Sequence, residues 1–367
     1  MTLPTPSVTA SPHTKAAGHR TAKILFHTYN RRGLGHLMRG FNIATQLKAL
    51  APQTELTFFA KAPRPDGFHQ LDCHYVHEAD DSVERWNDVL TRTSPDVVVL
   101  DTVLPKTAEM RSSLQGKRVA YIMRKCEAIR QQQVLQDPIV AASELIIVPH
   151  EAAEFDAPIP GHLQPQTHFV GAIVRPSDRR KQRRLIEKYN LQHSTFTLVS
   201  TPGGGGFQTE ADEFLQTVSQ VHDALYSHQP QLKHIVVPGP NYQGSFAPRP
   251  GMTVVSQEPD LVHLMPLSHL FLSAGGYNTV TELRATKTPA VFIPSPRTHD
   301  DQRDRVIRLA QSGLAAVVQP GPSAANEILS LCDDPQRMAA MRAALQQDHM
   351  RIGNRDAAAL ILELAAK

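Results

Sequence analysis

The chain has 367 residues, 41% of them hydrophobic and 20% charged, with a formal net charge of +3. That length is more than one core usually serves, and domains of about 100 to 200 residues make two the natural count, with room for a cleft between them. So weak a basic excess is not a nucleic-acid signature, and no apolar run approaches the ~20 residues of a membrane-spanning helix.

Residues 1–20 lack the apolar middle of a secretion signal and read as a disordered tail. Cys73, Cys126 and Cys332 have no paired spacing, which argues against a disulfide framework and a zinc cluster and favours a reducing, cytoplasmic setting. His74 and His77 stand three apart in a strand-like segment, a spacing that does not place two imidazoles on one face, so no metal site is expected.

In chain order, short β-branched runs alternate with helical patterns, which predicts α/β architecture with doubly wound parallel sheets. The first half supplies 23–29, 55–60, 96–101, 118–124 and 145–150. Between the first two runs, Leu37, Phe41, Ala44 and Leu47 repeat at helical spacing, completing a βαβ unit. From 169 to 183 the composition passes from an apolar strand to a charged stretch, RPSDRRKQRR, which suits an exposed linker and places the domain boundary near 175. The alternation then restarts with 196–200, 234–237, 253–256, 270–273, 290–293 and 315–318, giving a second, similar sheet.

Ligands of open parallel sheets bind beyond the carboxyl ends of the strands, so the loops there carry the functional expectations. In the loop SAGGYNT, Gly275 and Gly276 allow close approach of an anion to the start of the following helix. Ser273, Asn278 and Thr279 stand beside it, and Glu282 follows one turn later, where a carboxylate can accept ribose hydroxyl protons. A tight turn with Asn278 or Thr279 as helix cap is the alternative. The polar loop 295–304 contains Asp301 and Gln302, suited to sugar hydroxyls or, as an alternative, to a solvated helix start.

Four successive glycines, Gly203, Gly204, Gly205 and Gly206, imply close backbone approach to a ligand, with a hinge or lid as the other reading. In the first half, Arg31, Arg32, Gly33, Leu34, Gly35 and His36 open the first helix. Met38 stands where a dinucleotide fingerprint needs its third glycine, which disfavours a nicotinamide or flavin oxidoreductase. His36 can act as a general base, cap the helix or bind diphosphate, while Arg31, Arg32, Arg39, Arg124 and Lys125 add positive charge or are simply solvated.

These motifs together resemble glycosyltransferase family 28 and its peptidoglycan N-acetylglucosaminyltransferase relatives, most nearly a bacterial group of predicted glycosyltransferases. The resemblance rests on GLGH at 33–36, GGGG at 203–206, SAGGYNTVTEL at 273–283 and DDQ at 300–302. It implies a GT-B fold, two Rossmann-like domains facing a cleft. Residues 21–175 would bind the acceptor and 176–367 the nucleotide sugar, with a last helix that could pack back on the first domain.

The resemblance further implies a donor nucleotide-diphosphate sugar, commonly a uridine one. Glu282 then matches the ribose-binding acid, and Gly275, Gly276, Asn278 and Thr279 the phosphate-binding helix start. Asp301 and Gln302 match the sugar-contacting pair, and His36 the histidine of the N-terminal glycine loop. Arg31 and Arg32 depart from the relatives' run of glycines, and no apolar docking patch is evident, so membrane contact is at most peripheral. No D-x-D occurs to chelate a diphosphate-bound cation, so neither a metal nor another cofactor is expected. Partners are the nucleotide sugar and an unspecified acceptor, with no nucleic acid. A nucleotide-sugar epimerase or hydrolase, or a non-catalytic nucleotide-sugar-binding protein, would share the same donor loops.

Overall fold

The computed structural model describes residues 21–29, 33–295, 301–321 and 323–367. The tail 1–20, Arg31 and Arg32, and residues 296–300 of the polar loop lie outside the described residues.

Two separate parallel sheets form the frame. The first contains β1 (Lys23–Thr28), β2 (Glu55–Ala60), β3 (His74–His77), β4 (Val97–Asp101), β5 (Arg118–Ile122), β6 (Leu145–Val148) and β7 (Thr167–Phe169), in the order β3-β2-β1-β4-β5-β6-β7. The second contains β8 (Phe196–Thr201), β9 (Leu232–Val236), β10 (Met252–Val254), β11 (Leu270–Ser273), β12 (Ala290–Phe292) and β13 (Ala316–Val317), in the order β10-β9-β8-β11-β12-β13. Strand order thus reverses at β1/β4 and again at β8/β11.

Consecutive apolar residues are required in these strands because helices cover both faces. Ile24 and Phe26 of β1 enter the core beneath the helix Gly35–Leu50, while Leu25 between them joins the opposite core with Trp86 and Val98. The second sheet repeats the division, with Leu198 and Leu272 on one face and Val199 and Phe271 on the other. The four edge strands depart from the pattern: β3, with sequence HYVH, buries one residue of four, β10 one of three, and β7 and β13 none.

The connection between the sheets differs from the expected exposed linker. Val170, Ala172, Ile173 and Val174 are at most 5% exposed. The reason is a second crossing of the chain alongside the first. Ala172 N–H donates to the Arg351 carbonyl and Gly353 N–H to the Ala172 carbonyl, both at 2.8 Å. A Cβ at Gly353 would stand 2.4 Å from the Val170 carbonyl oxygen, so only glycine permits this approach. Exposure begins with the charged residues beyond, where Asp178 caps the helix Arg179–Lys188 by accepting from Arg180 N–H at 2.7 Å.

After this return, the last helix, Asn354–Ala366, buries Ala357, Ala358, Ile361 and Leu364 in the core of the first sheet. Further contacts tie the halves together: Arg284 Nη1 donates to Glu154 at 2.8 Å, and Arg308 pairs with Asp156 at 3.0 Å. No helix among the described residues is long and apolar enough to cross a membrane.

Asn354 is 6% exposed and satisfies both backbone polar groups of Val174, accepting from its N–H at 2.9 Å and donating to its carbonyl at 2.6 Å. Asn354→Ala leaves both groups buried and unpaired, which should destabilise the protein by about 2 to 4 kcal/mol. A urea-unfolding midpoint equal to that of the wild type would show that the two crossings do not depend on this residue.

Candidate functional site

The carboxyl edges of both sheets open onto one cavity of about 660 Å³. It is lined by Gly33, Gly35 and His36 from the first half and by Gly203, Gly276 and Glu282 from the second. Both reversals of strand order therefore face the same space, the place where open α/β sheets hold ligands. Three helices begin at its wall, at Gly35, Gln208 and Tyr277, and none has a side-chain cap. Their unsatisfied first-turn N–H groups and positive dipole ends make the cavity receptive to anions.

On the first-domain side, the site is built around Asp101, the last residue of β4, which is fully buried. Its Oδ1 accepts from His36 Nδ1 at 2.8 Å, Arg39 Nη2 at 2.9 Å and Thr102 Oγ1 at 2.9 Å, and its Oδ2 from Arg39 Nε at 2.9 Å. Burial by itself would raise the Asp101 carboxyl, but Arg39 and His36 outweigh it and hold the group well below the usual carboxylate range. An ionised Asp101 can only accept, so His36 carries its proton on Nδ1 and has its lone pair on Nε2.

Burial also lowers the His36 pKa below 6.5 against the pull of Asp101, and Arg39 and Arg124 push the same way. The result is a neutral imidazole with a fixed tautomer at a cavity wall, which is the state a general base needs. Arg39 is 2% exposed, so its expected place on a solvated surface is corrected: it is the buried counter-ion of Asp101.

On the second-domain side, β11 ends in a turn in which Gly275 adopts φ 87° and Gly276 caps the helix Tyr277–Ala285. Gly276 has nothing within 4 Å of its would-be Cβ and faces open space, whereas a Cβ on Gly275 would strike Val306 at 2.5 Å. Ser273 Oγ accepts from Gly275 N–H at 3.2 Å, so Ser273 and Gly275 shape the turn, while Gly276, Asn278 and Thr279 line the cavity. Neither Asn278 nor Thr279 caps the helix; Asn278 Nδ2 instead reaches across the cleft to the Gly35 carbonyl at 3.1 Å.

Glu282 lines the cavity one turn further on, and burial raises its pKa to about 7, with Arg175 opposing the shift. Its carboxylate has no hydrogen-bond partner among the described residues. Gln302 and Ser295 also line the cavity, and Gln302 Oε1 and Ser295 Oγ are buried without a partner among the described residues. Asp301 is not among the residues that line the cavity, and its carboxylate pairs with Arg305 one helical turn along.

The tetraglycine loop divides in two. Gly203 has φ 97° with open space before it, and Gly204 and Gly205 also border the cavity, whereas Gly206 does not. A Cβ at Gly205 would meet the Pro238 carbonyl oxygen at 2.6 Å, so packing against the chain's own backbone, beside any ligand, accounts for part of the glycine run.

Arg124 lines the cavity from the end of β5. Two functional residues escaped the reading of the sequence. Arg175, lost among the charges of the expected linker, lines the cavity with its Nε buried and unpartnered. Asp101 was legible as a polar residue ending an apolar strand, but 65 positions separate it from His36.

Residues 204–352 match the model of the glycosyltransferase family 28 C-terminal domain. A segment of 100 residues, 26% of the chain, is 34% identical to the UDP-N-acetylglucosamine–N-acetylmuramyl-(pentapeptide) pyrophosphoryl-undecaprenol N-acetylglucosamine transferase of Mycobacterium ulcerans. The match spans only 24% of that relative's length.

Among solved structures, the spinosyn forosaminyltransferase SpnP superposes with a TM-score of 0.65 at 14% identity, over 95% of this chain and all of that one. The S. aureus MnaA structure with bound UDP superposes with a TM-score of 0.63 at 12% identity, over 93% and 95% of the two chains. The frame is thus the GT-B fold of two Rossmann-like domains, and residues 204–352 are similar to the glycosyltransferase family 28 C-terminal domain.

Proposed function

We propose that this chain is a glycosyltransferase that moves a sugar from a nucleotide diphosphate, of which uridine diphosphate is the proposed form, to an acceptor hydroxyl or amine. The observation that carries this reading is the placement of a neutral, tautomer-fixed His36 on one wall of a cavity whose opposite wall is an uncapped helix start followed by Glu282. Relatives and neighbours support the donor class: the mycobacterial transferase is named for a UDP sugar, and the MnaA structure contains UDP.

In this reaction the acceptor oxygen or nitrogen forms a bond to the anomeric carbon as the bond from that carbon to the diphosphate oxygen breaks. The proton of the acceptor passes to His36 Nε2, and the electron pair leaves with the diphosphate. Amides at Gly276 to Thr279 and at Gly204 and Gly205, with the Arg175 guanidinium, supply fixed positive field where that charge develops. No metal or organic cofactor is part of the proposal. Gln302 and Ser295 present unsatisfied polar atoms suited to sugar hydroxyls.

A thermal-shift screen of nucleoside diphosphates and their sugars tests the donor: uridine compounds should stabilise the protein selectively. Equal response to every base, or to none, removes the donor assignment. Donor incubated alone should stay intact; release of free sugar or an epimer would favour hydrolysis or epimerisation instead.

Glu282→Ala should weaken uridine diphosphate binding by about 10- to 100-fold, the loss of hydrogen bonds to a charged group. Because the Glu282 pKa lies at about 7, the accepting carboxylate is depleted as pH falls through that value. Wild-type affinity measured by calorimetry should therefore drop below pH 7 by up to about tenfold per unit, and the variant should lack this dependence. A pH-independent wild-type affinity would exclude Glu282 as the ribose acceptor.

His36→Gln should lower turnover by about 100-fold or more while donor affinity changes less than about twofold. Loss of donor binding with turnover preserved in the bound state would assign His36 to the diphosphate instead.

A further inference from the structure

Tyr277 joins the two walls of the site. It is 5% exposed, opens the helix Tyr277–Ala285, and donates its hydroxyl proton to the Pro149 carbonyl at the carboxyl edge of the first sheet. Burial raises this phenol to about 12, so it stays protonated and its ring carries no charge of its own.

Two guanidinium groups stack on that ring. Arg39 of the first domain has its Cζ 5.3 Å from the centroid, and Arg305 of the second has its Cζ at 5.7 Å. Each cation holds a functional element. Arg39 grips both oxygens of Asp101, which orients His36; Arg305 Nη1 donates to the Gly275 carbonyl at 3.1 Å and also binds Asp301. His150 meets the ring edge-on, with centroids 5.1 Å apart. A contiguous run of contacts therefore leads from the turn at Gly275 through Arg305, Tyr277, Arg39 and Asp101 to His36.

We propose that Tyr277 is a positioning residue that transmits occupancy of the helix-start cradle to the His36 base, through the two cations stacked on its ring. This coupling rests on the donor reading given above. An anion seated on the Gly276–Thr279 amides pulls on the helix of which Tyr277 is the first residue, and the ring cannot shift without moving Arg39 against Asp101. The hydroxyl fixes the ring's depth, while the ring face does the transmitting.

The groups facing His36 are Asp101, Arg39 and Arg124, and the first two carry opposite charges. Taking away the Tyr277 ring releases Arg39, which weakens the repulsion on a protonated imidazole and leaves Asp101 less compensated. Both changes raise the His36 pKa.

The test follows His36 by NMR titration of its ring in the full-length protein, assigned by the signal missing from His36→Gln, with uridine diphosphate as probe. In the absence of ligand, Tyr277→Leu should shift the titration upward by about one pH unit, whereas Tyr277→Phe should leave it within a few tenths. Uridine diphosphate should move the wild-type titration and that of Tyr277→Phe, but not that of Tyr277→Leu. Should Tyr277→Leu fail to fold, Tyr277→Met, a longer apolar side chain with no ring, takes its place with the same expectation.

An unchanged His36 titration in the ringless variant overturns the proposal, as does a nucleotide response that survives loss of the ring. If calorimetry shows no binding of uridine diphosphate to the wild type, the donor reading falls and the coupling falls with it. Binding with an intact response in Tyr277→Leu overturns the coupling alone.

Discussion

A single buried carboxylate organises the reactive half of this molecule. Asp101 is wholly enclosed at the point where strand order reverses, and a charge in that position is tolerated only because four donated hydrogen bonds satisfy it. Two of those bonds come from Arg39, which fastens the helix Gly35–Leu50 to the sheet, and a third fixes the tautomer of His36. Structural anchoring and chemical readiness therefore have one cause. A helix start bordered by Gly33 and Gly35 could not hold an imidazole in place by its own rigidity.

Across the cleft, the second domain is organised around absence of side chains. Gly203 and Gly276 have open space where a side chain would stand, and the uncapped helix starts add their dipoles. Where polar side chains appear, the Glu282 carboxylate, Gln302 Oε1 and Ser295 Oγ have no hydrogen-bond partner among the described residues. In a folded interior such groups are usually paired, so unmet hydrogen-bonding capacity gathered on one wall describes a complementary polar guest. The two walls thus divide the work: one holds a base, the other a field and a set of acceptors.

Much of this was legible in the residues. Strands β1, β2, β8 and β11 are apolar at successive positions because both faces are covered, and that pattern survives without any knowledge of contacts. Glycine loops after strands were equally plain, since glycine signals special backbone needs. β3 was harder, because the edge strand HYVH buries too little to leave a hydrophobic signature. Side-chain partnerships were hidden for a different reason. Arg39 and Arg175 look like any surface cation in a list of residues, and only the folding of distant segments encloses them. Asp301 illustrates the reverse: a position with suitable chemistry proves to be occupied by Arg305.

The paired crossings at Val170–Val174 and Arg351–Asn354 bear on how the halves can move. Outgoing and returning backbone are stitched to each other by the Ala172 and Gly353 hydrogen bonds and by Asn354, forming a short two-ply spine. Such a spine bends readily about its own length but resists sliding, because shear would break its stitches together. A swing of the second half about that spine would have to break the contacts that span the cleft, among them Asn278 to Gly35 and Tyr277 to Pro149, so the mouth of the cavity is latched as well as hinged.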